Sequence, residues 1–435
     1  MKVFNQIFNS KESDINKIIE TLRQQQAPSD NNTHEQVSHI INEVYIKGDE
    51  AIKKFSLEFD GIKISSLEEI RLDLDLINKS KDLVEKKVLV SLENAYRRIL
   101  NYQKNLLPSE NISKNIIRKN IPIETVLIYA PGGKAIYPSS VLMAAGPAKA
   151  AGVKKIILTS PSPSKSLSPT ILAACSIAGI DEVYCIGGAH AIAGFVFRNN
   201  SLPSVDKIVG PGNKYVAEAK RQMFGLVGID LIAGPSEILI IGDDHTDPHS
   251  TALDLMAQAE HDEEACSILV SLDLEFSKKV EEIIGNEVEK LQRKDIIKES
   301  LIKNGYIINL NSIEEAIIFS NNLAPEHLHI KTKDSFEISD KFRYAGTILI
   351  GDDSANAISD YSLGPSHILP TSTSARFSSQ LSVNDFLVHP TQINLDKKEE
   401  NEYLNLLEDT ITLSKAEGLS AHALSATYRL NKLKD

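Results

Sequence analysis

Two neighbouring residues, Glu326 and His327, carry side chains that can move protons in water near neutral pH. Imidazole titrates in that range, and a carboxylate beside it can orient or deprotonate a water. The pair stands in Asn322-Leu323-Ala324-Pro325-Glu326-His327-Leu328-His329-Ile330, just after a proline, which disfavours helix for the residue before it and sets a turn. In a turn, adjacent side chains can face one cavity, whereas in a strand they point to opposite faces. On these residues alone two readings stay open: a general-base pair, or a polar loop bordering a strand over 328–331. A second group has metal-ligating types: Gln258 and His261, then Asp360 in Ser359-Asp360-Tyr361, then His422 in Glu417-Gly418-Leu419-Ser420-Ala421-His422. Zinc in a catalytic role takes imidazole, carboxylate and occasionally amide oxygen, and leaves room for substrate. A lone histidine near a helix end is more often hydrogen-bonded or solvated than metal-bound.

The elements that must position these residues can be read from periodicity. Residues 1 to about 107 are mainly helical. Ser13-Asp14 precede Ile15, Ile18, Ile19 and Leu22 at helical spacing, and a second helix runs through Val37, Ile40, Ile41 and Val44 before Gly48. A longer helical stretch is expected from Asp73 to about Leu106. His34 and His39 read as exposed helix residues. From Ile123 the period changes, with strands expected at 125–129, 155–159, 182–186, 207–209 and 230–232 and helices between them. A second alternating run begins with the stretch 233–241 and continues with strands over 266–271, 306–309 and 347–350, and a helix from Pro248 to about Glu260 behind an Asp247 cap. On that helix Gln258 and His261 share a face. This alternation indicates an α/β chain with doubly wound, mainly parallel sheets, which bind ligands beyond the carboxyl ends of their strands. Two glycine turns fall there, Gly187-Gly188-Ala189-His190 and Gly210-Pro211-Gly212-Asn213. Each suits a phosphate or pyrophosphate, and each is as readily a structural strand-to-helix turn. A loop from Gly351 to Ser379 and a helical tail from Leu404 to Leu433 complete the chain.

The chain has 435 residues, 42% hydrophobic and 24% charged, enough for two core-forming domains of a soluble globular protein. A net charge of -12 disfavours nucleic acid or an anionic membrane as partner and suits a cationic small molecule. No apolar run approaches a membrane span, no secretory h-region follows Met1, and the cytoplasm is the expected compartment. Cys175, Cys185 and Cys266 show no metal or disulfide spacing, and Cys266 lies in an apolar run that reads as a buried strand.

Taken together, several segments in order resemble the histidinol dehydrogenase family. They are Tyr129-Ala130-Pro131-Gly132-Gly133-Lys134-Ala135 with Tyr137-Pro138-Ser139-Ser140, Gly210-Pro211-Gly212-Asn213, and the run from Ile229 to Glu237. Next come Gln258-Ala259-Glu260-His261-Asp262, Leu323-Ala324-Pro325-Glu326-His327, Asp360-Tyr361 with His367-Ile368-Leu369-Pro370-Thr371, and the run from Glu417 to His422. The resemblance covers residues from about 120 to the C-terminus. It implies oxidation of L-histidinol through an aldehyde to L-histidine, with two NAD reduced and one Zn2+ bound per subunit. By position, Glu326 and His327 resemble the catalytic pair and Gln258, His261, Asp360 and His422 the zinc ligands. Tyr129, His190 and Asn213 match nucleotide-contacting positions; Ser236, His367 and Glu417 match substrate-contacting ones, together with His327 and the zinc ligands. The resemblance also implies a homodimer in which the tail completes the partner's site. Its domain plan has a helical layer and the first part of a larger domain in 1–130, an inserted nucleotide-side domain in 131–236, the rest of the larger domain in 237–380, and a dimerisation tail in 381–435.

The chain departs from the family at three places: His190 stands where Gln is usual, Ser366 where Asn is usual, and Ser379-Gln380 where Ser-Gly is usual. The last bears on the loop's backbone, because Gln adopts positive φ less readily than Gly. Two other classes fit some of the residues. One is a zinc hydrolase with Glu326 activating water; the other is a non-catalytic nucleotide-binding dimer, against which stands the presence of every carried-over zinc and catalytic residue. A thiol mechanism through Cys266 is a third chemistry for aldehyde oxidation.

Overall fold

The computed structural model describes residues 3–9, 15–25, 31–110, 115–132, 137–395 and 400–434. The expected helix cap Ser13-Asp14 and the turn residues Gly133, Lys134 and Ala135 lie outside them. The chain forms two compact units: Met1–Leu107 with Pro122–Phe386, and Pro108–Ile121 with Leu387–Asp435.

The first unit is α/β and contains two parallel sheets, as the alternating pattern indicates. One has five strands in the order Glu182–Tyr184, Lys155–Thr159, Thr125–Tyr129, Lys207–Val209, Gly228–Ile229. Its central strand is an unbroken apolar run because helices cover both faces: Val126, Leu127 and Ile128 are fully buried. The helix that follows, Pro138–Ala151, is built of small residues because it too is buried nearly all round. A side chain at Gly146 would come within 2.4 Å of Ile99 Cγ2 on the helix Lys86–Asn105, which fixes how closely the two helices approach.

The other sheet has six strands in the order Gln6–Asn9, Gly305–Asn309, Cys266–Ser271, Glu237–Gly242, His327–Ile330, Thr347–Ile350. The edge strand Gln6–Asn9, which pairs with Gly305–Asn309 through Gln6 and Tyr306, has no clear pattern in the sequence. The N-terminal helical layer is shared between the sheets. Helices Asn31–Lys47 and Asp49–Asp60 pack over the five-stranded sheet through Val37, Val44, Ile52 and Phe55. Helix Ile15–Gln25 packs on the six-stranded one through Ile18 and Leu22.

Three expected elements differ from those observed. The strand expected over 230–232 comes earlier, at Gly228–Ile229, because the Asp230 carboxylate is taken up by Gly210 N at 2.7 Å and by Lys220. The strand expected to reach residue 186 ends at Tyr184, since Cys185 N turns away to Ile70 O at 2.7 Å. The long helix expected from Asp73 is interrupted, giving Leu74–Lys79, a short turn, and Lys86–Asn105.

The second unit pairs Ile116–Arg118 antiparallel with Thr391–Ile393 and carries two packed helices, Glu400–Ala416 and Ser420–Lys434. The helical tail is thus two helices parted at Gly418, whose φ of 75° an L side chain rarely adopts. Among the described residues no helix is long and apolar enough to cross a membrane.

Candidate active site

Helix Ile313–Leu323 ends on Ala324 in the left-handed conformation, Pro325 prevents its continuation, and the strand begins at His327. This sharp entry brings two adjacent side chains to one place. Glu326 Oε2 accepts the Glu237 backbone N–H at 2.7 Å, while Glu326 N donates to Glu237 Oε1 at 3.2 Å. His327 Nδ1 lies 3.3 Å from the Glu237 carbonyl and 3.7 Å from Glu326 Oε2. With Nδ1–H directed at that carbonyl, Nε2 is left as the basic nitrogen. Nε2 is 3.4 Å from Asp360 Oδ1 but makes no aligned hydrogen bond. Glu326, His327 and Asp360 are all buried.

Burial alone would push the His327 pKa down, but the Glu326 and Asp360 carboxylates outweigh it and hold the imidazole well above its ordinary range. Asp360 is the counterpart: burial would raise its pKa, and His327 brings it below the usual carboxylate value. Asp360 sits near the end of helix Asn356–Tyr361. Its carbonyl accepts His367 Nδ1–H at 2.8 Å, which leaves His367 Nε2 to accept the Ser140 hydroxyl at 3.1 Å. His367 is the neutral member of the group, its pKa lowered chiefly by burial. Ser140 belongs to helix Pro138–Ala151, so this relay links the two sheets.

Gln258 occupies the last turn of helix Pro248–Ala259, which Asp247 caps by accepting from His249 N at 3.0 Å and Ser250 N at 3.2 Å. The Gln258 amide is buried, and neither its Oε1 nor its Nε2 has a hydrogen-bond partner. An amide orphaned in this way costs stability unless something binds it. His261 follows the helix, half-buried, and lies close enough to help lower the pKa values of both Asp360 and His367. Among the described residues no three His, Cys, Asp or Glu side chains stand close enough together to hold a metal. The expected set depends instead on the Gln258 amide and on His422, which is exposed in the second unit with Glu417. The orphaned Gln258 oxygen, with His261 and Asp360, fits the oxygen and nitrogen donors that zinc takes. Ser236 is half-buried just before Glu237.

At the five-stranded sheet the nucleotide candidates stand at strand ends. Tyr129 closes the central strand and accepts Gly188 N–H at 3.2 Å; burial pushes its phenol up to about 12. Asn213 caps helix Lys214–Met223, accepting from Tyr215 N and Val216 N at 3.1 Å each. His190 is turned into the helical layer, with Nε2 3.5 Å from both Ser56 Oγ and Asp60 Oδ2 and its ring against the stacked pair Phe55 and Phe59. The loop around Gln380 needs no glycine there: positive φ falls on Gly364, Ser372 and Thr373 instead. Ser366 is buried and accepts Ile368 N–H at 3.2 Å. Cys266 begins a buried strand.

Two contributors escape sequence reading. Glu237, which looks like the first residue of a strand, clamps Glu326 and also accepts Ser372 N–H at 3.0 Å. The buried pair Lys220 and Asp230 brackets the Gly210 turn, Lys220 Nζ donating to Gly210 O at 3.0 Å. Gly210 has φ of 109°, and a Cβ there would meet Tyr129 O at 2.2 Å. The signal for that pair is a lysine and an aspartate placed among apolar residues of packed elements.

The chain resembles known proteins over nearly its whole length. The family model described as histidinol dehydrogenase matches residues 23–430. A histidinol dehydrogenase from Oceanobacillus iheyensis is 44% identical, covering 94% of both chains, and one from Gluconobacter oxydans is 42% identical, covering 95% of this chain and 96% of that one. The crystal structure of histidinol dehydrogenase from Elizabethkingia anophelis superposes with a TM-score of 0.92 at 31% identity, covering 100% of both chains. An acetylating aldehyde dehydrogenase from Geobacillus thermoglucosidasius, at 11% identity and a TM-score of 0.51, covers 84% of this chain and 97% of that one, and shares the fold alone. With the family model spanning most of the sequence and the structural match extending from end to end, this chain belongs to the histidinol dehydrogenase family and is an oxidoreductase.

Proposed function

We propose that the protein oxidises L-histidinol through L-histidinal to L-histidine, passing two hydrides to two NAD, in the cytoplasm. The observation that carries this is the buried convergence of Glu326, His327 and Asp360, with the orphaned Gln258 amide on a helix packed against that of Asp360, in a member of this family. With Asp360 given to the zinc it would help hold, one of the two carboxylates that raise the His327 pKa is withdrawn, and the neutral His327 Nε2 takes the alcohol proton as the first hydride leaves carbon, and later a hydroxyl proton of the hydrated aldehyde. Between these steps a water must add to the aldehyde. Glu326 keeps Oε2 on the Glu237 amide, and Oε1 serves to activate that water. Gln258, His261, Asp360 and His422 would hold one zinc per subunit, and the ion would supply fixed positive charge that orients an amine and an imidazole without redox chemistry. Ser236, His367 and Glu417 contact the substrate; Tyr129 and Asn213 serve the nucleotide, with His190 on the turn that Tyr129 ties through Gly188 N–H. On this reading 131–236 is the nucleotide-side domain within a larger one. The tail from 381 completes the site of a second subunit.

The test is the NADH formed per histidinol consumed, with and without a chelator. Two per histidinol, with loss of turnover on chelation that zinc restores, is expected. One per histidinol, or none, would overturn the reading.

A further inference from the structure

Parallel sheets open a ligand crevice where the strand order reverses, at the carboxyl ends of the strands. In the six-stranded sheet this point lies between Glu237–Gly242 and His327–Ile330, and there the chain is stitched closed. Lys331 N donates to Ile241 O at 2.8 Å, Thr246 Oγ1 donates to Lys331 O at 2.9 Å, and Lys333 N donates to Asp243 Oδ2 at 3.1 Å. Inside this closure is a cation that the proposed reaction does not use. The Lys331 side chain is fully buried, with Nζ 2.8 Å from Asp254 Oδ2, 3.3 Å from the partly exposed Asp352 Oδ1, and donating to Ser250 Oγ at 3.0 Å. Ser250 in turn donates to Asp352 at 3.1 Å.

Each partner lies on a segment that carries a candidate site residue. Asp254 is one turn before Gln258 on the same helix face. Asp352 precedes the helix that bears Asp360. Lys331 directly follows the strand that opens with His327. His329 is two residues from His327 and so on the same strand face. It adds a second tie to the Asp352 segment, with Nε2 donating to Gly351 O at 2.8 Å, while Nδ1, 3.5 Å from Asp254 Oδ2, makes no hydrogen bond.

We infer that Lys331 is a positioning residue for the active site. One buried cation joins the three segments that carry Gln258, His327 and Asp360, from the end opposite to the chemistry. Without it, the buried Asp254 carboxylate loses its counter-ion and is left near the Asp352 carboxylate, and the helix is pushed from the segment that leads to Asp360. Only about 6 Å of helix separates Asp254 from Gln258, so the displacement reaches the site. The inference rests on the proposed roles of those three residues.

The test compares Lys331→Met and Lys331→Arg with the wild-type protein by circular dichroism, steady-state kinetics and zinc retained after dialysis against a competing chelator. Lys331→Met is expected to fold, to lose about ten- to a hundredfold in kcat, to release zinc more readily, and to keep its KM for NAD within about twofold, because the nucleotide turns lie on the other sheet. Lys331→Arg should recover most of the loss. A folded Lys331→Met with kcat and zinc retention within about twofold of wild type overturns the inference, and so does an equal decline in the NAD and histidinol parameters. Should Lys331→Met fail to fold, Asp254→Asn weakens one arm of the tie, and unchanged kcat and zinc retention in that variant overturns it. A wild-type protein inactive on histidinol refutes the proposed function separately, and zinc retention then decides the inference.

Discussion

The two sheets are wound alike yet use opposite ends. The five-stranded sheet keeps its glycine turns at the carboxyl ends of its strands, where Tyr129, Gly188 and Gly210 meet. The six-stranded sheet places Glu326 and His327 at the amino end, against the first residue of the neighbouring strand, Glu237. Its carboxyl end is closed by Lys331, Thr246 and Asp243. A rule of topology therefore locates the crevice only where the chain leaves it open. In the second sheet that place is taken by an ion-pair cluster, and the proposed catalytic pair sits at the other end, joined to the first sheet's side through the Ser140 and His367 relay.

The largest effect is expected at the amino-end site. His327→Asn removes the proton acceptor of both oxidations, and kcat should fall by about 10² to 10⁴. Glu326→Gln should spare histidinol oxidation to the aldehyde level more than aldehyde oxidation to the acid, because only the second half needs an activated water. Single-turnover measurements on histidinol and histidinal separate the halves; equal losses in both would remove the separate role given to Glu326.

At the carboxyl-end turn of the other sheet, the effect should fall on the nucleotide and on stability. Lys220→Met leaves the buried Asp230 without its partner, which costs about 3–5 kcal/mol, whereas replacing both by apolar residues of similar size costs much less. Denaturant midpoints give the stabilities. The KM for NAD should rise in both variants, because the Gly210 turn loses its tie at Lys220. A single variant as stable as the double would contradict the ion-pair account.

The first unit should also differ from the second in what it can do alone. If Glu417 and His422 complete a partner's site, mixing the inactive variants His327→Asn and His422→Ala should restore activity, since one site of a mixed dimer carries both lesions and the other neither. Random exchange makes about half the dimers mixed, so roughly one quarter of wild-type activity is expected. No recovery, with exchange confirmed by a tag on one variant, would place the tail in cis.

Much of this architecture is legible in the sequence because apolar runs such as Val126-Leu127-Ile128 and the small-residue helix after Pro138 leave little choice of structure. The edge strand Gln6–Asn9 is not, because its existence depends on a partner, Gly305–Asn309, far along the chain. At the site, residue types and order pointed to Glu326, His327, Gln258 and Asp360, which the fold places on neighbouring segments. The role of Glu237 is not legible, because a carboxylate at the head of a strand reads as solvated until its partners are known. His190 shows the same limit from the other side: placed after a glycine turn, it suggests an outward-facing contact, but Ser56, Asp60 and two phenylalanines draw it inward.

The smallest expected effect concerns the helix that runs between the two ends of the six-stranded sheet. Asp247 caps helix Pro248–Ala259 at the end near Lys331, and Gln258 lies at the other. Backbone amides of His249 and Ser250 hold the Asp247 carboxyl below its usual range, His249 contributing most. A carboxylate with a depressed folded-state pKa contributes stability above its unfolded pKa, and that stability is lost as pH falls through the folded value. Asp247→Ala should therefore cost about 1 kcal/mol at neutral pH, as caps of this kind do. The difference from wild type should shrink as the medium is made acid enough to protonate Asp247 in the folded protein. Unfolding curves for both proteins at neutral and acid pH check this, and a gap that stays constant would show that the side chain acts through packing rather than as a charged cap.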